Sequence, residues 1–432
     1  MLVDGVETDI TTVNSEDIES YTILKDASST AVYGSRGTFG VVLITTKKPE
    51  KGRMKITYNG SYNFYKRTVT PQIVDNGYDW TSSYLESYIN NKGVDPANIN
   101  NVFKFSRAWY SELERRNGDP SYEKWRVNPS NNRYEYFGNT NWYKIFYKDY
   151  TTGHQHNLSI TGGSDKASYY LSGRFFHQDG IYNAGDERYN QYNVLGKGTV
   201  QVTKWLTVEN TTSFMSRFHH EPMLTTGDQS FWMTPVRMFN HQGYPMTLEK
   251  NPDGTWTEAA VYLGWAGFVE GHTWMEKDKF DLTNRTKFSL NLIKDVLVGE
   301  FDVSYYRNHT ELHRLAVPYT YYTGPESYGE RPATSWYSES YSNYERIASN
   351  ATLTWTPKLG ENNWLKVMGG WNLEDETHLA TYTRNTDVVD PDHPSLSLTS
   401  GELPIVTGNG SNSWSVVGAF FRVNYGYKGK YL

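Results

Sequence analysis

Over residues 280–292 apolar and polar side chains alternate. Phe280, Leu282, Phe288, Leu290 and Leu292 take one side, and Asp281, Thr283, Arg285, Lys287 and Ser289 the other. Successive side chains on a strand point to opposite faces, so a run this long predicts a strand with one apolar and one wet face. The pattern recurs. Leu297, Phe301, Val303 and Tyr305 oppose Glu300, Asp302 and Ser304, and Leu365, Val367, Trp371 and Leu373 oppose Lys366, Asn372, Glu374 and Glu376. Residues 414–427 repeat it, and weaker runs cover 54–65, 154–163, 167–177, 190–203, 205–218 and 344–356. That makes about ten strands. Several exceed the roughly 9–11 residues that cross a bilayer.

The connections alternate too. Short turns at 162–166, 203–205, 294–295 and 357–363 separate long segments at 66–153, 178–189, 219–277, 312–343 and 380–411. An up-and-down meander with every long connection at one end is the pattern of an outer-membrane barrel. A soluble sandwich or propeller has no reason to keep that asymmetry.

Composition agrees. Hydrophobic residues are 37% of the chain, yet aromatics reach 16%, with 35 Tyr, 14 Trp and 36 Gly. A mean hydropathy of −0.68 is compatible with a membrane barrel, because only alternate residues meet lipid. No apolar run approaches the roughly 20 residues of a membrane helix. Cysteine is absent, which removes disulfides, Cys-ligated zinc and thiol nucleophiles. A net charge of −6 supplies no basic field for nucleic acid.

Residues 23–48, ILKDASSTAVYGSRGTFGVVLITTKK, read as a short helix and a buried strand. Asp26 is a good N-cap, residues 27–33 can form two helical turns, and Gly34 suits the left-handed C′ position. After the Arg36–Gly37 turn, residues 41–46 are a β-branched run of strand length. This stretch resembles the plug of the SusC-like (SusC/RagA) TonB-dependent outer-membrane transporters. Residues 139–183 and 187–214 resemble barrel strands of the same family.

The resemblance implies a barrel of about 22 strands with a plug in its lumen. It divides the chain into residues 1–50, the end of the plug, and 51–432, the first half of the barrel. The fold class expected is therefore all-β: a partial antiparallel transmembrane β-barrel with the end of an α+β plug. An internal fragment of a longer protein is expected, since MLVDGVETD lacks the regions of a signal peptide and an unclosed barrel would leave strand edges in lipid. The resemblance further implies a multi-pass outer-membrane location and TonB-driven import of an oligomeric nutrient, a glycan or else a peptide. It also implies a SusD-like surface lipoprotein, and TonB acting through a segment ahead of residue 1. No cofactor and no catalysis are expected.

Candidate residues follow. Lys25, Asp26, Tyr33, Gly34, Arg36 and Gly37 form the plug motif, structural or gating in role; Lys25, Asp26, Arg36 and Arg53 could form ion pairs that hold the plug in the lumen, although capping by Asp26 and support of the turn by Arg36 rank first. Loop tryptophans Trp232, Trp256, Trp265 and Trp274 suit glycan rings or a protein partner, although formation of the loop's own core ranks first for any single one. His154 and His156 share a strand face with Leu158 and Ile160, which predicts the outer rim over a metal site. His219, His220 and Glu221 begin a loop and offer a weak cation site. Glu374 and Glu376 share a face at a spacing a glycosidase could use, but on the lumen side. No nucleophile elbow, phosphate loop or metalloprotease motif occurs. A secreted glycan-binding β protein and a sugar-cleaving enzyme are the rival readings.

Overall fold

The computed structural model describes residues 1–25, 40–68, 71–99, 103–224, 242–360 and 362–428. An inner sheet comes first in the chain. It holds β1 (Leu2–Val3), β2 (Val6–Glu7), β3 (Ile18–Leu24) and β4 (Val41–Thr46) in the order β2-β1-β4-β3. Strand β4 has the bounds expected from its β-branched run. Its Val41 and Ile44 are buried, and it pairs parallel with β1 and antiparallel with β3.

Strand β5 (Gly52–Lys66) opens a wall. A long connection follows, carrying helices α1 (Gly77–Lys92) and α2 (Arg107–Gly118), the hairpin β6 (Trp125–Asn128) and β7 (Arg133–Tyr136), and the short helix α3 (Trp142–Phe146). The wall resumes with β8 (Tyr150–Gly163), β9 (Ala167–Asp179), β10 (Arg188–Gln201) and β11 (Leu206–Pro222). The next connection carries helices α4 (Glu258–Tyr262) and α5 (Trp265–Glu270) and leads into β12 (Trp274–Ile293) and β13 (Leu297–Ala316). A second small hairpin, β14 (Tyr319–Gly324) and β15 (Ser327–Arg331), precedes β16 (Trp336–Trp355), β17 (Asn363–Thr386) and β18 (Ile405–Tyr427).

The wall is one ten-stranded antiparallel sheet in simple meander order, interrupted only by the two small hairpins that lie off it. At the turn between β12 and β13, Asp295 sits at φ 61°, a left-handed position that Asp tolerates better than most residues. The wall strands run from 13 to 24 residues, most of them longer than the alternation marked. The later connections accordingly shorten to 223–273, 317–335 and 387–404 rather than 219–277, 312–343 and 380–411. Beyond the apolar band the outer face meets water and the inner face meets water or, as at Leu315 and Ala316, the folded connections, so the alternation fades while the hydrogen-bonded ladder continues.

The two faces sort as expected. Asp281, Asp302, Ser304 and Arg346 are buried on the concave side. Val303, Ile347, Trp371 and Phe421, the last 83% exposed, point outward, as a lipid-facing surface requires.

Candidate functional site

The concave side of the wall holds the inner sheet. Lys197 of β10 places Nζ 3.0 Å from Asp4 Oδ2 and donates to the Thr46 carbonyl at 3.0 Å. Asp4 in turn accepts from Thr46 N and Oγ1 at 3.0 and 2.6 Å, so one carboxylate ties the turn between β1 and β2 to β4 and to the wall. On β12, Arg285 donates to the Asp4 carbonyl at 2.6 Å while pairing with Asp302 at 2.9 Å. From β16, Arg346 reaches Glu7 Oε2 at 3.1 Å and the Glu7 carbonyl, with Glu374 behind it at 3.6 Å. Tyr170 of β9 donates to buried Asp17 at 2.7 Å, and Asn193 donates to the Thr12 carbonyl at 2.9 Å.

Apart from the neutral Asn193 bond, these contacts are charge-assisted and partly shielded, the strong class. Between them the seam is not close-packed. A polar cavity of about 200 Å³, lined by residues including Glu16, Asp17, Lys55 and Tyr170, separates the inner sheet from β5, β8 and β9. A body held by discrete polar contacts around a cavity can be displaced by breaking a few of them; a close-packed apolar interface would resist as a whole.

Gly5 makes the close approach at Arg285. Its φ is +86°, and a Cβ there would sit 2.9 Å from the Arg285 guanidinium. Gly5→Ala is therefore expected to cost more than about 1 kcal/mol and to push Arg285 off the Asp4 carbonyl. Limited proteolysis of the 1–25 segment is the check; an unchanged cleavage rate would contradict it.

At the rim the long connections fold together. Trp142, Phe146, Trp256, Trp265, Phe268 and Leu315 belong to one buried cluster, with Trp274 packed against it. Trp109, Leu113, Phe137 and Met246 form a second, joining α2 to the later connection. Trp256 and Trp265 are 8% and 7% exposed. Their indole N–H groups are taken by Glu270 and by Glu249, the latter at 2.7 Å. As proposed contact residues both are corrected: burial removes their ring faces from solution, and they hold the cap together.

A cavity of about 550 Å³ opens where the three connections meet, lined by residues including Phe103, Phe105, Arg133, Tyr134, Tyr136 and Glu258. Burial pushes the Glu258 carboxyl above the usual carboxylate range, with Arg133 and Arg331 opposing. Lys250 lies 2.8 Å from the centre of the Trp256 ring, and burial lowers its ammonium pKa.

Asp26, Tyr33, Gly34, Arg36, Gly37 and Trp232 lie outside the described residues. Lys25 and Arg53 are exposed. The ion pairs to the wall come instead from Asp4 and Glu7, which the sequence did not mark; their signal was slight, an Asp–Gly turn in LVDGV. His154 and His156 lie on the outer face, stacked with Tyr62 at 6.3 Å and Tyr58 at 6.2 Å, in keeping with an aromatic girdle. His219, His220 and Glu221 do not begin a loop: they lie within β11, because that strand runs to Pro222. Glu374 and Glu376 face the lumen, where they meet Arg346 and the Tyr344 hydroxyl.

Helices α1 and α2 lie within the first long connection, to which the alternation assigned no element. Asn76 caps α1 by accepting from Tyr78 N and Asp79 N, and Gly93 closes it at φ 72°. Ser106 caps α2 by accepting from Trp109 N at 3.2 Å.

No family model matches the chain. TonB-dependent receptor P3 of Formosa agariphila is 26% identical over 430 residues, covering 96% of this chain and 36% of that protein. TonB-dependent receptor SusC of Bacteroides thetaiotaomicron is 49% identical over 65 residues, 15% of this chain and 6% of that protein. The solved RagAB peptide importer in its open-open state aligns with 99% of this chain and 46% of its own at a TM-score of 0.71 and 20% identity, a likeness of fold. The chain thus spans about a third of the length of the curated relative it matches over most of its own. With an inner sheet on the concave side of a one-sided wall and these relatives, the chain is similar to the SusC-like TonB-dependent receptors of the outer membrane.

Proposed function

We propose that residues 1–50 are the end of a plug and 51–432 the first half of the barrel of an importer that moves an oligomeric nutrient across the outer membrane. The observation that carries this reading is the inner sheet held on the concave wall by separable polar contacts around a polar-lined cavity. Such a seam lets a pulled plug yield without unfolding the barrel. In this reading TonB supplies the pull through a segment ahead of residue 1, and a SusD-like lipoprotein closes the rim. The plug motif, Lys25 to Gly37, is in this reading structural or gating in role. Substrate contact falls to the cavity of Tyr134, Tyr136 and Glu258, with Trp232 and Trp274 as further candidates.

A glycan is the first reading of the cargo, because aromatic faces beside polar groups suit sugar rings. A peptide is the second, favoured by the fold likeness to a peptide importer. Uptake of labelled oligosaccharides and of labelled peptides by cells with and without the receptor separates them. Loss of oligosaccharide uptake on deletion supports the first, and loss of peptide uptake alone supports the second. Recovery of the receptor in the soluble fraction, or cleavage of glycan by the purified protein, would end the importer reading.

A further inference from the structure

At the mouth of the lumen, Glu187, His219 and Glu221 each bring one donor atom within 4.8 Å of the others. Glu187 ends the connection that leads into β10, and His219 and Glu221 sit two apart on the inward side of the neighbouring β11. Their positions are fixed. The Glu187 carboxylate accepts from Ile181 N–H at 2.9 Å. Its side chain lies against Gly180, where a Cβ would meet it at 2.2 Å. The His219 ring packs edge to face on Tyr189 at 6.0 Å and 65°.

The three donors face one another without bonding. His219 Nε2 stands 3.9 Å from Glu221 Oε2, outside hydrogen-bond reach. Lys277 and Arg314 bear on Glu221 from β12 and β13, yet neither ion-pairs with it within 4.0 Å among the described residues. Two carboxylates converging on one imidazole make a donor set suited to a divalent first-row metal. Donors around tetrahedral zinc, each about 2.0–2.2 Å from the metal, lie about 3.4 Å apart. Side-chain adjustments of about 1 Å close the present arrangement to that spacing.

We propose that Glu187, His219 and Glu221 bind a divalent transition-metal ion at the lumen mouth. Bound there, the ion ties the 180–187 connection to β11 beside the loop cap. The inference stands whatever the barrel carries.

The test uses the receptor bearing this segment, purified in detergent and stripped with EDTA. It is titrated with Zn²⁺ alone by calorimetry and with Co²⁺ alone by visible absorption. One site is expected, with the intense Co²⁺ band of four-coordinate geometry. Both His219→Ala and Glu221→Gln should weaken it about tenfold or more. His393→Ala, at a histidine with 83% side-chain exposure, should leave it unchanged. The Glu221→Gln variant keeps the side-chain shape, and heat-modifiable migration verifies that each barrel is folded. Binding that is absent, or equal in all three variants, overturns the proposal.

Discussion

Lys197→Met is expected to loosen the plug while leaving the wall intact. The Lys197 and Asp4 side chains are only 8% and 14% exposed. Removing the ammonium leaves Asp4 bonded to Thr46 alone, a shielded carboxylate without its cation. Breaking a buried pair from one side costs about 3–5 kcal/mol. Lys197 also holds the Thr46 carbonyl, so the loss reaches β4, the central strand of the plug sheet. Hydrogen exchange at residues 41–46 should accelerate about a hundredfold or more, the ratio that the lower cost implies. Amides of β9 and β10 should not change, because their ladders do not involve the lysine side chain. As a control, Lys51→Met removes a surface pair whose partners are 66% and 95% exposed, and such pairs contribute little. Equal acceleration in wall and plug, or none in β4, would sink the argument.

Phe268→Ala should dismantle the loop cap without opening the barrel. Phe268 is 1% exposed, and its ring lies 5.5 Å from Phe146 and 5.0 Å from Tyr182. It thereby joins α5, α3 and the 180–187 connection. Emptying such a site costs about 3–5 kcal/mol. The wall is held by its own antiparallel ladder, so the loss falls on the connections. The expected result is protease cleavage within 242–273 and lost uptake, with heat-modifiable migration retained. Phe268→Leu keeps an apolar filling and should recover most of both. Loss of the folded barrel band in Phe268→Ala would show that cap and wall are one cooperative unit.

How far the fold was legible depended on which solvent a face meets. Where lipid lies outside and water inside, as at Phe280 against Asp281, the environment forces strict alternation, and all ten wall strands could be found from it. Beyond that band no alternation is required, because residues 380–386 are half-buried or exposed on both faces while Leu315 and Ala316 are buried against the folded connections, and these strand ends were read as loop. Helices α1 and α2 failed for a different reason. Their caps Asn76 and Ser106 are ordinary polar residues, and only the tertiary contacts of Trp109 and Leu113 with Phe137 and Met246 show why the segment is helical there.

The site was less legible than the fold. Arg285 and Arg346 were marked only as lumen-facing or not at all, because their partners Asp4 and Glu7 lie 281 and 339 residues away. Trp256 and Trp265 carry the composition of a binding loop, but an indole that packs against its own loop and one that meets a ligand are the same residue in a sequence.

Taken alone, then, the sequence determined strand number, the two faces of each strand, the one-sided connections and the family, because each follows from local periodicity or from runs of neighbouring residues. The tertiary structure decided which charges latch the plug, which aromatics are spent on the cap, and where Glu187 meets His219 and Glu221. Those outcomes depend on contacts between distant segments, whose distances are set only when the inner sheet lies against the concave side of the wall.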